Sequence, residues 1–318
     1  MTDELVLKKV EQLMDDLSYH FRVVSVNRLS ELESELAAKA NEGCFDAEFY
    51  QERLTSFAFH PPQRLSGAKS IIIIAIRQPM VVVIFEWNGK DHSVRIPPAY
   101  DVIAEAETQH RLEEILQPEG YTVAPATLPL KLLAARSGLV EYAKNNICYV
   151  PGMGSFHRLV AFYIDLPCHK EHWGRPALLE RCSTCEACVV KCPTHAISTD
   201  RFLLRAERCL TFHNEHAKEF PLYVDRSWHH CLLGCLLCQR FCPENKKFLD
   251  WSEERGRFSE EETTLILRGV PLDKVPASTR QKLERLSLFE DYTLLARNLS
   301  LVLETDYVSI LELNANGA

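Results

Sequence analysis

The sequence lacks any long apolar stretch. Its longest apolar runs, residues 71–76 and 80–85, are far shorter than the roughly 20 residues that a helix needs to cross a bilayer. Residues 3–18 form an amphipathic helical pattern in place of a charged and then apolar leader. We therefore predict a cytoplasmic protein with no membrane partner.

The sequence also lacks a surplus of positive charge. It has 36 Lys and Arg against 44 Asp and Glu, a formal net charge of -8. Proteins that bind nucleic acid mainly through the phosphate backbone need many cationic side chains, so the composition argues against a nucleic-acid partner held by broad electrostatic attraction, while leaving room for a local basic patch. There is no low-complexity linker and no internal repeat. A chain of 318 residues is long enough for two modest domains, or for one large domain with an insert.

Cysteine, by contrast, is abundant and concentrated in two runs. The first run has the spacing C-x2-C-x2-C-x3-C followed by proline, which is the bacterial ferredoxin pattern. It consists of Cys182, Cys185, Cys188 and Cys192, with Pro193. The second run has the spacing C-x2-C-x3-C, again followed by proline. It consists of Cys235, Cys238 and Cys242, with Pro243. The two runs predict two 4Fe–4S clusters.

In ferredoxins of this kind, the fourth cysteine of each run binds the other cluster. One cluster is therefore assigned to Cys182, Cys185, Cys188 and Cys242. The other is assigned to Cys192, Cys235 and Cys238 with one further cysteine, because Leu232 stands where the second run would have its first cysteine. Either Cys209 or Cys231 completes this set, and we prefer Cys209.

Two other uses of these cysteines were weighed. Paired C-x2-C units also bind zinc, but zinc sites do not usually repeat a C-x3-C-P ending in two successive runs. Disulfides fit less well, because nothing in the sequence indicates an oxidising compartment. Iron–sulfur clusters in a reducing, low-oxygen cell remain the preferred interpretation.

Outside the cysteine-rich segment, the hydrophobic pattern predicts an α+β domain. Helices are expected at 3–18, 30–40, 100–116 and 127–138, and strands at 21–26 and 71–76. A hairpin is expected at 80–96 around Asn88-Gly89, and residues 147–150 are expected to pair with 159–164. Beyond residue 250, capping boxes at Ser259/Glu262 and Ser278/Gln281 predict helices.

Several motifs resemble those of the epoxyqueuosine reductases, iron–sulfur enzymes related to the reductive dehalogenases. The chain reads LAARSGLVEYAKNNICYVP at 133–151, followed by GSF and then by the cysteine array. The segments LSGAKSIIIIAI and ARNLSLVLE are also similar to family segments. The resemblance spans roughly residues 60–304 and is most specific in the cysteines.

The resemblance implies a particular domain organisation and a second cofactor. Residues 1–175 would form a nitroreductase-like α+β domain that binds a corrinoid, cobalamin, without a protein histidine on the cobalt. Residues 176–250 would form a ferredoxin-like domain with two 4Fe–4S clusters, and residues 251–318 a short helical C-terminal segment. The family also places a lone cysteine between its two runs, which supports Cys209 over Cys231.

The matching motifs also imply site residues. Residues expected to bind the cofactor are Lys144, Asn145, Gly154, Ser155 and Phe156. Tyr142, Tyr149 and His157 lie in the segments that would line the corrin, where a phenol or an imidazole can act as a general acid. The alternative for the two tyrosines is that they are core aromatic residues with satisfied hydroxyl groups.

One departure from the family pattern bears on the substrate. Ala124, in the segment VAPAT, stands where the family has a proton-donating aspartate. We therefore predict a cobalamin-dependent reductase whose substrate is not the epoxyqueuosine of tRNA. Its substrate would be a small molecule or a protein. Its electrons would come from a low-potential donor such as a ferredoxin or flavodoxin. The alternatives are an electron-transfer module that serves another corrinoid protein, and a corrinoid-trafficking protein.

Overall fold

The computed structural model describes the backbone of residues 2–315 and the side chains of residues 2–303. Residue 1 of the predicted domain 1–175 and residues 316–318 of the predicted C-terminal segment 251–318 lie outside the described residues. The strands are β1 His20–Ser25, β2 Ser70–Arg77, β3 Met80–Trp87, β4 Lys90–Ile96, β5 Val123–Pro125, β6 Glu141–Tyr142, β7 Cys148–Tyr149, β8 His157–Ile164 and β9 Ser252–Phe258. The helices are α1 Asp3–Asp16, α2 Leu29–Asn41, α3 Ala47–Arg53, α4 Ile103–Leu116, α5 Leu130–Arg136, α6 Ala187–Lys191, α7 Leu210–Asn214, α8 Leu237–Arg240, α9 Glu260–Leu267, α10 Ala277–Arg285 and α11 Tyr292–Ala315.

The main sheet has four antiparallel strands in the order β1-β2-β8-β5. β2 is apolar at almost every position because helices cover both of its faces. Ile72, Ile74 and Ile76 pack with α1 and α4 on one face. Ile71 and Ile73 pack with α2 and α5 on the other. The predicted α+β architecture is confirmed for this part of the chain.

A second sheet has the order β4-β3-β9. The predicted hairpin between β3 and β4 is confirmed, and Asn88 and Gly89 both have the positive φ that its tight turn requires. β9 runs parallel to β3 and packs Phe258 against Phe85, with ring centroids 5.0 Å apart. The sequence pattern does not predict β9, because this edge strand reads SEERGRF and is largely exposed.

Two local predictions are wrong. β7 pairs with β6 and not with β8, because β2 and β5 already occupy both edges of β8. The predicted capping box at Ser278 does not form, since α10 already begins at Ala277, after Pro276. The capping box of Ser259 and Glu262 is confirmed, with both reciprocal hydrogen bonds present.

The cysteine-rich segment contains little regular structure. Three short helices, α6 to α8, alternate with turns that bring the two cysteine runs together. The third core lies between the second sheet and α9 to α11, and Leu232 and Leu233 of the cysteine-rich segment contribute to it. Within the part of the chain that the structure describes, no helix has the length and apolar character to cross a membrane.

Candidate iron–sulfur site

The first thiol set lines one small cavity. Cys182, Cys185, Cys188 and Cys242 form its wall together with Ala143 and Asn145. Burial and the nearby thiols of Cys182 and Cys242 raise the pKa of Cys188 to about 11. The four cysteines that the spacing assigns to one cluster are thus brought together from two runs about 50 residues apart in sequence.

Lys144 contacts the first thiol set through both its backbone and its side chain. Its backbone N–H donates to Sγ of Cys182 at 3.4 Å, and its ammonium group donates to the carbonyl oxygen of Cys185 at 3.0 Å. An N–H group directed at a cysteine sulfur stabilises negative charge there, as an iron-bound thiolate requires.

The second thiol set lines a larger cavity of about 390 Å³. Its wall includes Cys192, Cys209, Cys235 and Cys238. Cys231 is not among the described residues that line it. The thiol of Cys231 is fully buried, and burial raises its pKa to about 12. The geometry therefore places Cys209 with the three other thiols and Cys231 outside the cavity.

Asn145 lies in the walls of both cavities. Its amide nitrogen donates to the hydroxyl of Tyr149 at 3.2 Å and to the carbonyl oxygen of Cys238 at 3.4 Å. Its amide oxygen accepts the N–H of Ile147 at 3.1 Å. Asn145 is itself buried, and its amide nitrogen links the Tyr149 hydroxyl beside the first thiol set to the backbone of Cys238 in the second.

The three predicted general acids occupy different surroundings. Tyr149 is buried beside the first thiol set, where its hydroxyl interacts with the thiol of Cys242. Tyr142 lies in the core that contains α5, with its ring edge-on to Phe202 at 5.1 Å. Burial raises the pKa of both tyrosines. Burial also lowers the pKa of His157 to about 4, and among the described atoms its Nδ1 has no hydrogen-bond partner.

The GSF motif joins the main sheet to the chain on both sides of Cys242. Gly154 has a positive φ of 59°, and a Cβ there would lie 2.4 Å from Oδ1 of Asn245. Ser155 bonds Gln239 through its hydroxyl at 2.8 Å, and Phe156 packs against Phe248 with ring centroids 5.9 Å apart. These contacts, like those of Lys144 and Asn145, are made to the cysteine-rich segment. The predicted role of these residues in corrin binding remains a prediction.

Arg297 and Asn298, at the start of the segment ARNLSLVLE, make contacts that the sequence pattern does not predict. Arg297 donates to the carbonyl oxygens of His213 and His216, at 2.9 and 2.7 Å. Asn298 donates to the carbonyl oxygens of Asn214 and Leu232, at 2.8 and 2.9 Å. The C-terminal helix thereby holds the loops that follow Cys209 and precede Cys235. The family-like segment ARNLSLVLE is the only sequence signal of this contact.

His230 is also explained by the structure. Its Nδ1 lies 2.8 Å from the carbonyl oxygen of Trp228, and its Nε2 accepts the N–H of Leu236 at 3.4 Å. With both ring nitrogens engaged, His230 orders the loop that carries Cys235. His229, by contrast, is buried against Phe220, and neither of its ring nitrogens has a partner among the described atoms.

Comparison with known proteins agrees with this geometry. Residues 181–245 match the family described as 4Fe-4S double cluster binding domain. The protein is therefore an α+β protein with a double-cluster domain that lies in sequence between β8 of the main sheet and β9 of the second sheet.

The proteins that this chain resembles over longer segments belong to two kinds of reductase. The epoxyqueuosine reductase of Atelocyanobacterium thalassa is 32% identical over 37% of this chain, but the aligned part spans only 38% of that protein. A tetrachloroethene reductive dehalogenase of Dehalobacter restrictus is 25% identical over 57% of this chain and 36% of the dehalogenase. The solved structure of the epoxyqueuosine reductase from Streptococcus thermophilus has a TM-score of 0.64 at 17% identity, covering 98% of this chain and 85% of that one. The resemblance to epoxyqueuosine reductases and reductive dehalogenases is confirmed, and the fold is shared with the former.

Proposed function

We propose that this protein is an iron–sulfur reductase that carries electrons one at a time through two 4Fe–4S clusters to a substrate other than epoxyqueuosine tRNA. The observation that carries the proposal is the meeting of eight thiols in two adjoining cavities that share Asn145. We place this activity in the reducing cytoplasm, with a low-potential ferredoxin or flavodoxin as the electron donor.

The donor set fits the clusters. Four thiols around a cavity are the ligands that a 4Fe–4S cube requires, and each cavity provides four when Cys209 is taken with the second set. The clusters, when bound, supply one-electron redox chemistry. The chain supports them in two ways. Lys144 directs an N–H at one thiolate sulfur, and Asn145 holds the backbone of Cys238 against the first set.

Cobalamin enters the proposal through the resemblance alone. The residues predicted to bind it already make polar or packing contacts with the cysteine-rich segment. Those contacts account for their side chains without a corrin, so we derive no step through it. Added cobalamin that keeps its free spectrum and does not co-elute with the cluster-loaded protein would remove the corrin from the proposal and leave the cluster function standing.

The choice of another substrate depends on Ala124. This residue lies on β5 opposite Tyr163, has no exposed surface and packs among apolar side chains of the main core. A methyl group can neither donate a proton nor hold a water for an epoxide oxygen. We therefore propose a small-molecule or protein substrate, and the net negative charge of the chain supports the exclusion of tRNA.

The first test is anaerobic purification with iron, acid-labile sulfide and cobalt analysis. We expect about eight irons per chain by the ligand rule, and absorption in the visible that bleaches with dithionite. Stoichiometric zinc without labile sulfide would refute the proposal. Turnover of a candidate substrate with a low-potential donor would separate a reductase from a bare electron-transfer module.

A further inference from the structure

The cavity of the second thiol set also contains a carboxyl group. Glu215 follows α7 and lines this cavity together with Cys209 and Thr211. One quarter of its side-chain surface is exposed. A partly buried carboxylate loses hydration, so burial raises the pKa of Glu215 above its ordinary value. A proton-binding group therefore stands in the same cavity as the thiols.

Three other groups set the charge around Glu215. Tyr100 donates its hydroxyl hydrogen to one carboxylate oxygen, and Arg53 of α3 lies 3.7 Å from the other. Both favour the ionised carboxylate, whereas Asp291, just before α11, disfavours it. The neighbouring His216 is bonded to Glu52 of α3 and does not compete for the carboxylate. Since Arg53 is itself 38% exposed, its charge is screened by water and burial dominates.

Tyr100 ties this carboxyl group to the ligand loop. Gly234 has a positive φ, and a Cβ at this position would lie 2.4 Å from the Tyr100 hydroxyl oxygen. The hydroxyl therefore rests directly against the backbone that precedes Cys235. The carbonyl oxygen of Gly234 accepts a hydrogen bond from Asn214 at 2.7 Å, which fixes the loop from the side of α7. The pair formed by Tyr100 and Glu215 thus lies in the wall of the cavity that holds the second thiol set.

We propose that Glu215, held by Tyr100, takes up a proton when the second cluster is reduced. This inference rests on the proposed function, because it requires a cluster in the second cavity. One electron from a low-potential one-electron donor enters the cluster, and one proton from solvent binds the Glu215 carboxylate to give a neutral carboxylic acid. Reoxidation releases both. The electron adds negative charge to a site of low dielectric constant, which favours proton binding nearby.

The proposal gives the protein a source of protons that Ala124 cannot provide. A substrate that accepts electrons from the second cluster would find the carboxylic acid of Glu215 in the wall of the same cavity. Glu215 thus supplies the proton that charge balance requires from the wall of the same cavity.

The test is potentiometry of the second cluster, followed by electron paramagnetic resonance, across a range of pH. In the wild-type protein, the potential is expected to fall as pH rises, by up to about 59 mV for each tenfold fall in proton concentration. This dependence should extend from the pKa of Glu215 beside the oxidised cluster to its higher pKa beside the reduced cluster. In Glu215→Gln the potential should not depend on pH. The control is Glu219→Gln, an exposed carboxylate in the same loop, which should behave as the wild type.

Tyr100→Phe provides a second, independent check. The hydroxyl of Tyr100 lowers the pKa of Glu215. Its removal should therefore move the pH range in which the cluster potential depends on pH to higher values. This variant decides the question if Glu215→Gln binds less iron than the wild type. An unshifted interval, or an equal slope in fully loaded Glu215→Gln, would overturn the inference. Two clusters with potentials independent of pH would refute this inference alone, whereas a wild-type protein without clusters would refute the proposed function.

Discussion

Ser155 and Asn245 hold each other through two hydrogen bonds. The N–H of Ser155 donates to Oδ1 of Asn245 at 2.9 Å, and the amide nitrogen of Asn245 donates to the Ser155 hydroxyl at 2.8 Å. Asn245 is fully buried, so its polar atoms would be costly to leave unpaired. The pair therefore couples the fold of the main sheet to the position of Cys242, three residues before Asn245.

The first prediction concerns Gly154→Ala. A methyl group there would collide with Asn245 and would also occupy a left-handed backbone conformation. We expect a loss of about 3 kcal/mol in the free energy of unfolding, together with lower iron occupancy, measured by denaturant unfolding and iron analysis. Gly152→Ala is the matched control, because its φ is also positive but its Cβ would meet open space. It should cost only about 1 kcal/mol. Equal effects of the two variants would contradict the role given to Asn245.

The second prediction concerns the eighth cluster ligand. Cys209→Ser should reduce iron from about eight to about four per chain after reconstitution, since only the second cluster loses a ligand. Cys231→Ser should keep all of its iron, because Cys231 lies outside the cavity. Iron and sulfide analysis of both variants measures this. Loss of iron in Cys231→Ser alone would reverse the assignment and leave the number of clusters unchanged.

The third prediction concerns acid stability and His157. Its pKa is lowered to about 4 in the folded protein, whereas an exposed histidine titrates near 6.5. The unfolded chain therefore binds more protons between these values. As pH falls from about 6.5 to about 4, stability should decrease by up to about 3 kcal/mol on account of this residue.

Unfolding by urea at several pH values, with iron content followed in parallel, measures this slope. His157→Gln should reduce it. The control is His110→Gln, at an exposed position on α4, which should leave the slope as in the wild type. A slope that is unchanged in His157→Gln would show that the acid sensitivity arises elsewhere.

The fourth prediction concerns epoxyqueuosine. Protein with both clusters, supplied with cobalamin, dithionite and tRNA that bears epoxyqueuosine, should form no queuosine detectable by mass spectrometry. General acid catalysis is typically worth about 10²- to 10⁴-fold in rate, and Ala124 provides none. Conversion over many turnovers would overturn the inference from Ala124.

The variant Ala124→Asp tests whether the missing carboxyl group at this position is the only obstacle to epoxyqueuosine reduction. Because Ala124 has no exposed surface, we expect the new carboxyl group to destabilise the main core rather than create activity. Gain of epoxyqueuosine reduction in this variant would show that the remaining site is suited to that substrate.

The sequence by itself determined the features that depend on local spacing. The two cysteine runs indicated a double-cluster domain, because cluster ligands recur at short fixed intervals. The apolar run at 71–76 indicated a strand covered on both faces, and Asn88-Gly89 indicated a hairpin. Each of these signals is contained within a few residues of chain.

Only the tertiary structure decided the contacts between distant segments. It paired β9 with β3 and β6 with β7, although the edge strand β9 is polar and β6 is only two residues long. It brought Cys209 rather than Cys231 to the second thiol set, and it placed Glu215 beside Tyr100 in the same cavity. Such choices depend on how separate elements pack against one another, and no pattern within either segment contains that information.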